Sequence, residues 1–170
     1  MSSLSRGKDT ELKFSRHLTN VIWSTKQEDM KAHWDLKGSL NGSKIFKFDV
    51  KGLRGKSRRG GIDPSVLWIE SKNVNGDKGW LYGEADYIVF EQLQSWIVVK
   101  RLKIIPFIRS KLKHNNYERV YRATDALYRI YTRKNRSDLL SMALIEDIKH
   151  IMACEIPKSL TRGQTRINTQ

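Results

Sequence analysis

The chain has 170 residues, with 32 Lys+Arg against 18 Asp+Glu, a formal charge of +14. Hydrophobic residues make up 39% of it, enough for the core of one domain, and no run approaches the ~18 apolar residues of a membrane span. The residues after Met1 lack the apolar stretch of a signal peptide, and the single Cys154 excludes an intramolecular disulfide or a multi-Cys zinc site, so the expectation is a soluble cytoplasmic domain with a polyanionic partner and no membrane association.

In chain order, 9–22 is expected to be a helix carrying Leu12, Leu18, Val21 and Ile22 on one stripe. The stretch 32–40 reads as a strand, Asn41-Gly42 as a hairpin turn, and 44–51 as a returning strand in which Ile45, Phe46, Phe48 and Val50 intersperse with Lys44, Lys47, Asp49 and Lys51. A Gly/Arg/Lys loop closes at Asp63-Pro64. Val66-Leu67-Trp68-Ile69 then reads as a central strand within 65–74, and 75–83, with three glycines, as a loop. Strands are expected over 85–90 and 95–100, and extended chain from 102 that turns helical after Pro106. A hairpin follows over 127–132 and 138–144, then a short helix over 145–151 and a frayed tail from 161.

The charge is unevenly spread. Residues 51–60 hold five basic side chains and no acid, and residues 100–136 hold twelve against Glu118 and Asp125. Residues 63–91 carry Asp63, Glu70, Asp77, Glu84, Asp86 and Glu91 against Lys72 and Lys78. An acidic centre between basic flanks suits a metal-dependent nuclease, in which carboxylates hold the metal and cations hold the phosphate backbone. Residues two apart in a strand share a face, so Glu70 and Lys72 project together. If their strand neighbours that of Asp49, the three converge. Two carboxylates suit Mg²⁺, and an adjacent ammonium can orient the nucleophile or offset transition-state charge. Six acid-x-Lys pairs occur in the chain; only Glu70/Lys72 ends an apolar strand with another acid on an earlier predicted strand, and Glu11 on the first helix is placed to lean towards the same site.

A helix with Glu11, a strand, a strand with Asp49, and the strand Trp68-Ile69-Glu70-Ser71-Lys72 together resemble the PD-(D/E)XK nucleases over about residues 9–100. The resemblance implies an α/β fold with a restriction-endonuclease-like core, a mixed β-sheet with helices on its faces. It implies metal binding by Asp49 and Glu70, catalysis by Lys72 and an accessory role for Glu11, with Mg²⁺, or Mn²⁺ in its place. Phe48 stands where the family motif has proline. The expected organisation is a single nuclease domain: a catalytic core over 1–100, a basic β-hairpin/helix extension for DNA over 101–160, and a tail. The expected function is a DNA endonuclease, first a phage-type homing endonuclease, second a junction resolvase, acting as a homodimer. A non-catalytic nucleic-acid-binding module is the alternative.

A second register sets Asp35 as the first acid and Asp49-Val50-Lys51 as the acid-x-Lys, with 13 residues between the acids and both across the predicted hairpin. The loop cations Lys51, Arg54, Lys56, Arg58 and Arg59 are candidate phosphate contacts. Gly52-Leu53-Arg54-Gly55-Lys56-Ser57 imitates a P-loop but has Val50 where the first glycine belongs. The hairpin cations Arg129, Arg133, Lys134 and Arg136 read either as a β-ribbon for a DNA groove or as a solvated surface. The segment Gly79-Trp80-Leu81-Tyr82-Gly83 reads either as a loop anchored in the core by Trp80 or as part of the site, with Tyr82, Glu84 or Asp86 contributing. The four histidines show no metal-ligand spacing, and Cys154 reads as a small apolar residue.

Overall fold

The computed structural model describes residues 3–42, 44–56 and 61–160. In chain order the elements are α1 (Ser3–Ser15), β1 (Thr19–Trp23), α2 (Lys26–Ala32), β2 (Leu36–Ser39), β3 (Phe46–Lys51), β4 (Val66–Lys72) and a 3-10 turn (Trp80–Tyr82). They continue with β5 (Tyr87–Glu91), β6 (Ser95–Lys100), α3 (Arg101–His114), β7 (Arg119–Val120), a second 3-10 turn (Ala123–Asp125), β8 (Ile130–Tyr131), β9 (Leu139–Leu144), α4 (Ile145–Lys149) and β10 (Met152–Pro157). The fold is thus mixed α/β, and it divides into two compact units that interleave along the chain. The first takes residues 1–52, 84–101 and 152–170; the second takes 53–83 and 102–151. One boundary falls after residue 101, and 53–83 belongs with 102–151.

The first unit is built on a six-stranded sheet in the order β1-β2-β3-β5-β6-β10. β3 and β5 are parallel, and every other neighbouring pair is antiparallel. Phe48 and Val50 of β3, Tyr87 and Val89 of β5, Trp96 and Val98 of β6 and Ile156 of β10 form one buried cluster with Phe14 and Leu18. Their two-residue spacing is the strand period, and α1 closes the cluster by inserting Phe14 edge-on against Phe48 and Trp96. Lys47 ties β3 to β5: its amide donates to Asp86 and its ammonium lies 2.8 Å from Glu84. Those two acids are therefore engaged by Lys47.

The sequence places a helix over 9–22, but α1 ends at Ser15. Leu12 is half exposed, so the apolar stripe carries less burial than its spacing suggests. Val21, Ile22 and Trp23 instead enter an edge strand, consistent with their β-branched and aromatic character. α2 and β10 are not anticipated from the sequence. α2 starts with a full capping box, Thr25 and Glu28 satisfying each other's backbone amides. α3 runs through Pro106 rather than starting after it, forgoing one backbone hydrogen bond in its second turn.

The second unit holds a four-stranded sheet, β4-β9-β8-β7, in which only β7 and β8 are parallel. Val66, Ala126 and Met142 form its buried centre, with Trp68, Val120, Leu127, Tyr131 and Leu144 packed around them. β4, read from the sequence as central, lies at the edge of this sheet. Trp80 is buried, so the aromatic loop is anchored as the first of its two readings has it. No helix among the described residues is long and apolar enough to cross a membrane.

Candidate active site

β2 and β3 are joined across the Asn41-Gly42 turn, where Gly42 takes a φ of +80°, a conformation glycine adopts without steric cost. Their last paired positions are Leu36 and Phe48. One step further along the same register, Asp35 comes opposite Asp49. The backbone fixes this approach: the Asp35 amide donates to the Phe48 carbonyl at 2.8 Å. The Val50 amide donates to Asp35 Oδ2 at 2.6 Å. Lys51, two residues on from Asp49 and therefore on the same face, places its Nζ 2.6 Å from Asp49 Oδ1.

Asp49 is 2% exposed, and its Oδ2 has no hydrogen-bond partner among the described residues. A buried carboxylate oxygen without a partner is costly, because it gives up hydration for nothing. Asp35 carries a related signature. Its carboxyl is pushed up to about 8, first by burial and then by the Asp49 carboxylate, while Lys51 and the Val50 amide act in the opposite direction.

α1 reaches the same end of β3. A Cβ at Gly52, the residue after Lys51, would lie 3.2 Å from Thr10 Oγ1. Glu11, next to Thr10, is raised by burial first and then by Asp29 and Asp49; Lys8 and Lys51 lower it. Glu11, Asp35, Asp49 and Lys51 thus belong to one electrostatic group within the first unit. Among the described residues, no group of three or more His, Cys, Asp or Glu side chains is arranged to hold a metal ion. Two carboxylates are nevertheless a sufficient protein contribution for Mg²⁺, which retains waters and takes further oxygens from a phosphate. The unpartnered Asp49 oxygen beside Asp35 fits such a cation.

The other expected residues are placed as follows. Glu70 and Lys72 lie on β4 in the second unit, facing Leu140 and Leu139 of β9. β3 has β2 and β5 as its neighbours, so the strand pairing that would align Asp49 with Glu70 is not formed. Gly79 packs so closely on Glu70 that a Cβ there would lie 2.4 Å from the Glu70 carbonyl oxygen. Arg54 is exposed and Lys56 pairs with Asp63 at 3.2 Å; Arg58 and Arg59 lie outside the described residues, as does the tail from 161. Arg129 pairs with Glu118 at 2.5 Å, and Arg133 pairs with the fully buried Asp138, while Lys134 and Arg136 are exposed. Asp35 is the residue that the principal sequence reading left out. Its signal was partial: Asn41-Gly42 marks where the two strands reverse, but a two-residue turn there would set Asp35 opposite Phe48, and only the longer connection between Gly38 and Phe46 brings it opposite Asp49.

A scan against protein-family models finds no match, and searches of curated proteins and of solved structures find none either.

Proposed function

We propose that the chain is a Mg²⁺-dependent DNA endonuclease of the PD-(D/E)XK type, with Asp35, Asp49 and Lys51 as its central residues and Glu11 as an accessory acid. The observation that carries this reading is the buried Asp49 carboxylate, one oxygen on Lys51 and the other without a partner among the described residues, directly across from Asp35. The mixed sheet of the first unit, in which β1, β2 and β3 are antiparallel and β5 lies parallel to β3, with α1 ahead of it in the chain, supports the reading.

In this reading Asp35 and Asp49 hold the metal, which when bound supplies a Lewis acid for the phosphate and lowers the pKa of a water. The Val50 amide keeps the Asp35 carboxylate turned towards Asp49. Lys51 holds its ammonium where negative charge accumulates on the phosphate during attack. Water adds to phosphorus, the sugar oxygen leaves and takes up a proton, and the products are a phosphomonoester and an alcohol. Cleaving both strands with one site per chain calls for two copies, so a homodimer is part of the proposal. Site-specific cutting and junction resolution both remain within this class.

Plasmid nicking in Mg²⁺ or Mn²⁺ against EDTA tests it. The expected result is metal-dependent nicking that Asp49→Asn and Lys51→Ala each reduce at least a hundredfold, while Lys72→Ala retains activity. Loss of activity in Lys72→Ala with full activity in Lys51→Ala would return the site to Glu70 and Lys72. Salt-sensitive binding without cleavage would instead favour the non-catalytic module, for which the excess positive charge of the second unit, 17 Lys+Arg against 8 Asp+Glu, is the supporting observation.

A further inference from the structure

In the second unit, residues 113–122 run from the last turn of α3 through β7, an edge strand of the four-stranded sheet. Two large aromatic side chains in this stretch are left in solvent: Tyr117 is 51% exposed and Tyr121 is 79% exposed. They alternate with exposed cations, Lys113, Arg119 and Arg122. No ion pair engages these three cations among the described residues. Val120, between Arg119 and Tyr121, points the other way and packs on the buried centre of the unit. Arg119 and Tyr121, on either side of Val120, are both exposed.

The backbone also favours this display. Asn116 and Tyr117 both take left-handed conformations, φ of 52° and 53°, held by hydrogen bonds from their amides to the carbonyls of Lys113 and Leu112. For tyrosine this conformation is unfavourable, and Tyr117 nevertheless stays about half exposed. The nearby acid Glu118 is neutralised by Arg129, and the Asp125 carboxylate accepts from the Thr124 hydroxyl at 3.1 Å. Lys113, Arg119, Arg122 and Arg129 outnumber Glu118 and Asp125, so the stretch carries a net positive charge.

We propose that Tyr117 and Tyr121, with Arg119 and Arg122, form a binding surface for an unpaired DNA strand. Exposed aromatic rings stack on bases that are not in a duplex, whereas neighbouring guanidinium groups hold the phosphates. Base pairs in a duplex present no free face to such rings. The inference deepens the nuclease reading, on which it rests for its choice of DNA: the substrate class becomes DNA with unpaired nucleotides, such as a flap, a gap or a branch.

Fluorescence anisotropy in EDTA tests it on the full chain without cleavage, using a labelled dT20, the same-length duplex, and the ribo-oligomer. Wild type is expected to bind dT20 more tightly than duplex and at least as tightly as the ribo-oligomer. The double variant Tyr117→Ala/Tyr121→Ala is expected to lose about tenfold or more on dT20 and to stay within about twofold on duplex. Tyr117→Phe/Tyr121→Phe is expected to bind as wild type does, because the ring and not the hydroxyl does the stacking. Unchanged dT20 affinity in the alanine variant, equal losses on dT20 and duplex, an equally weak phenylalanine variant with unaltered circular dichroism, or a marked preference for the ribo-oligomer would each overturn the proposal. An absence of metal-dependent nicking would defeat the nuclease reading while leaving these binding outcomes to decide the surface.

Discussion

Asp35 departs far from the ordinary chemistry of an aspartate. Its carboxyl titrates near 8 in the folded protein, against 3.8 for an ordinary aspartate, because burial and Asp49 both disfavour its charge. The folded state thus holds this proton more tightly than the unfolded state. Its stabilising contribution is complete below about pH 4 and is lost as pH rises through about 8. Thermal melts of the metal-free protein between pH 5 and 9 should show Tm falling across that window, and Asp35→Asn should flatten the fall. At pH 8, added Mg²⁺ should raise Tm in wild type and not in Asp49→Asn; an identical response in both would remove Asp49 as a ligand. Arg133 makes a different prediction. It is paired with Asp138, which is fully buried, and removing one partner of such a pair strands the other charge at a cost of about 3–5 kcal/mol. Urea denaturation should show that loss in Arg133→Ala, while Lys134→Ala at the exposed turn should stay within about 0.5 kcal/mol of wild type. In the sequence the two residues are indistinguishable members of one basic cluster.

Among the elements, those with a strict local signal were legible. β3 and β6 lie close to their expected limits, the Asn-Gly turn joins β2 to β3, and α4 falls where a short helix was expected. α1 is shorter than the apolar spacing suggests because Leu18, Val21 and Ile22 fit a helical stripe, whereas pairing with β2 draws 19–23 into an edge strand. The capping box of α2 was readable in Thr25 and Glu28, but none of its residues is buried, so hydrophobic periodicity gave no sign of it. The junction of β4 and the 3-10 turn at Trp80 depends on a contact no pattern reports. Gly79 has an ordinary φ of −77°, so its requirement is for space. With backbone 2.4 Å from a Cβ there, Gly79→Ala should destabilise the protein by about 1–3 kcal/mol, seen as a lower denaturation midpoint. A midpoint equal to that of wild type would mean that β4 and the turn separate readily.

Over the whole molecule, the +14 charge divides unequally. The first unit has 15 Lys+Arg against 10 Asp+Glu, the second 17 against 8. The excess cations of the second unit are partly consumed internally, since Lys56, Lys111, Arg129, Arg133 and Lys149 all have carboxylate partners. Net charge therefore overstates the number of cations open to a polyanion. If Arg119 and Arg122 each neutralise one phosphate, the double alanine variant should bind dT20 with a log K against log salt slope shallower by about 1.4. Lys134→Ala/Arg136→Ala measures the hairpin tip in the same way, and an equal change there would assign both regions to the strand. An unchanged slope in the Arg119/Arg122 variant would remove those two from the interface.

By itself the sequence determined the quantities that are sums or local periods: the basic excess, the material for a core, the Asn-Gly hairpin, most strands, and the set of acids and lysines from which a site could be drawn. Both registers, Asp49 with Glu70/Lys72 and Asp35 with Asp49/Lys51, obey the same spacing rule, so spacing could not choose between them. Tertiary structure decided which acids share a unit, because strand pairing is non-local. β3 pairs with β2 and β5, and β4 joins a separate sheet with β9. It also decided which cations are spent on buried or neighbouring acids and which aromatics are left in solvent. Those outcomes depend on how each unit packs, as with Arg133, whose buried partner Asp138 is shown only by the folded unit.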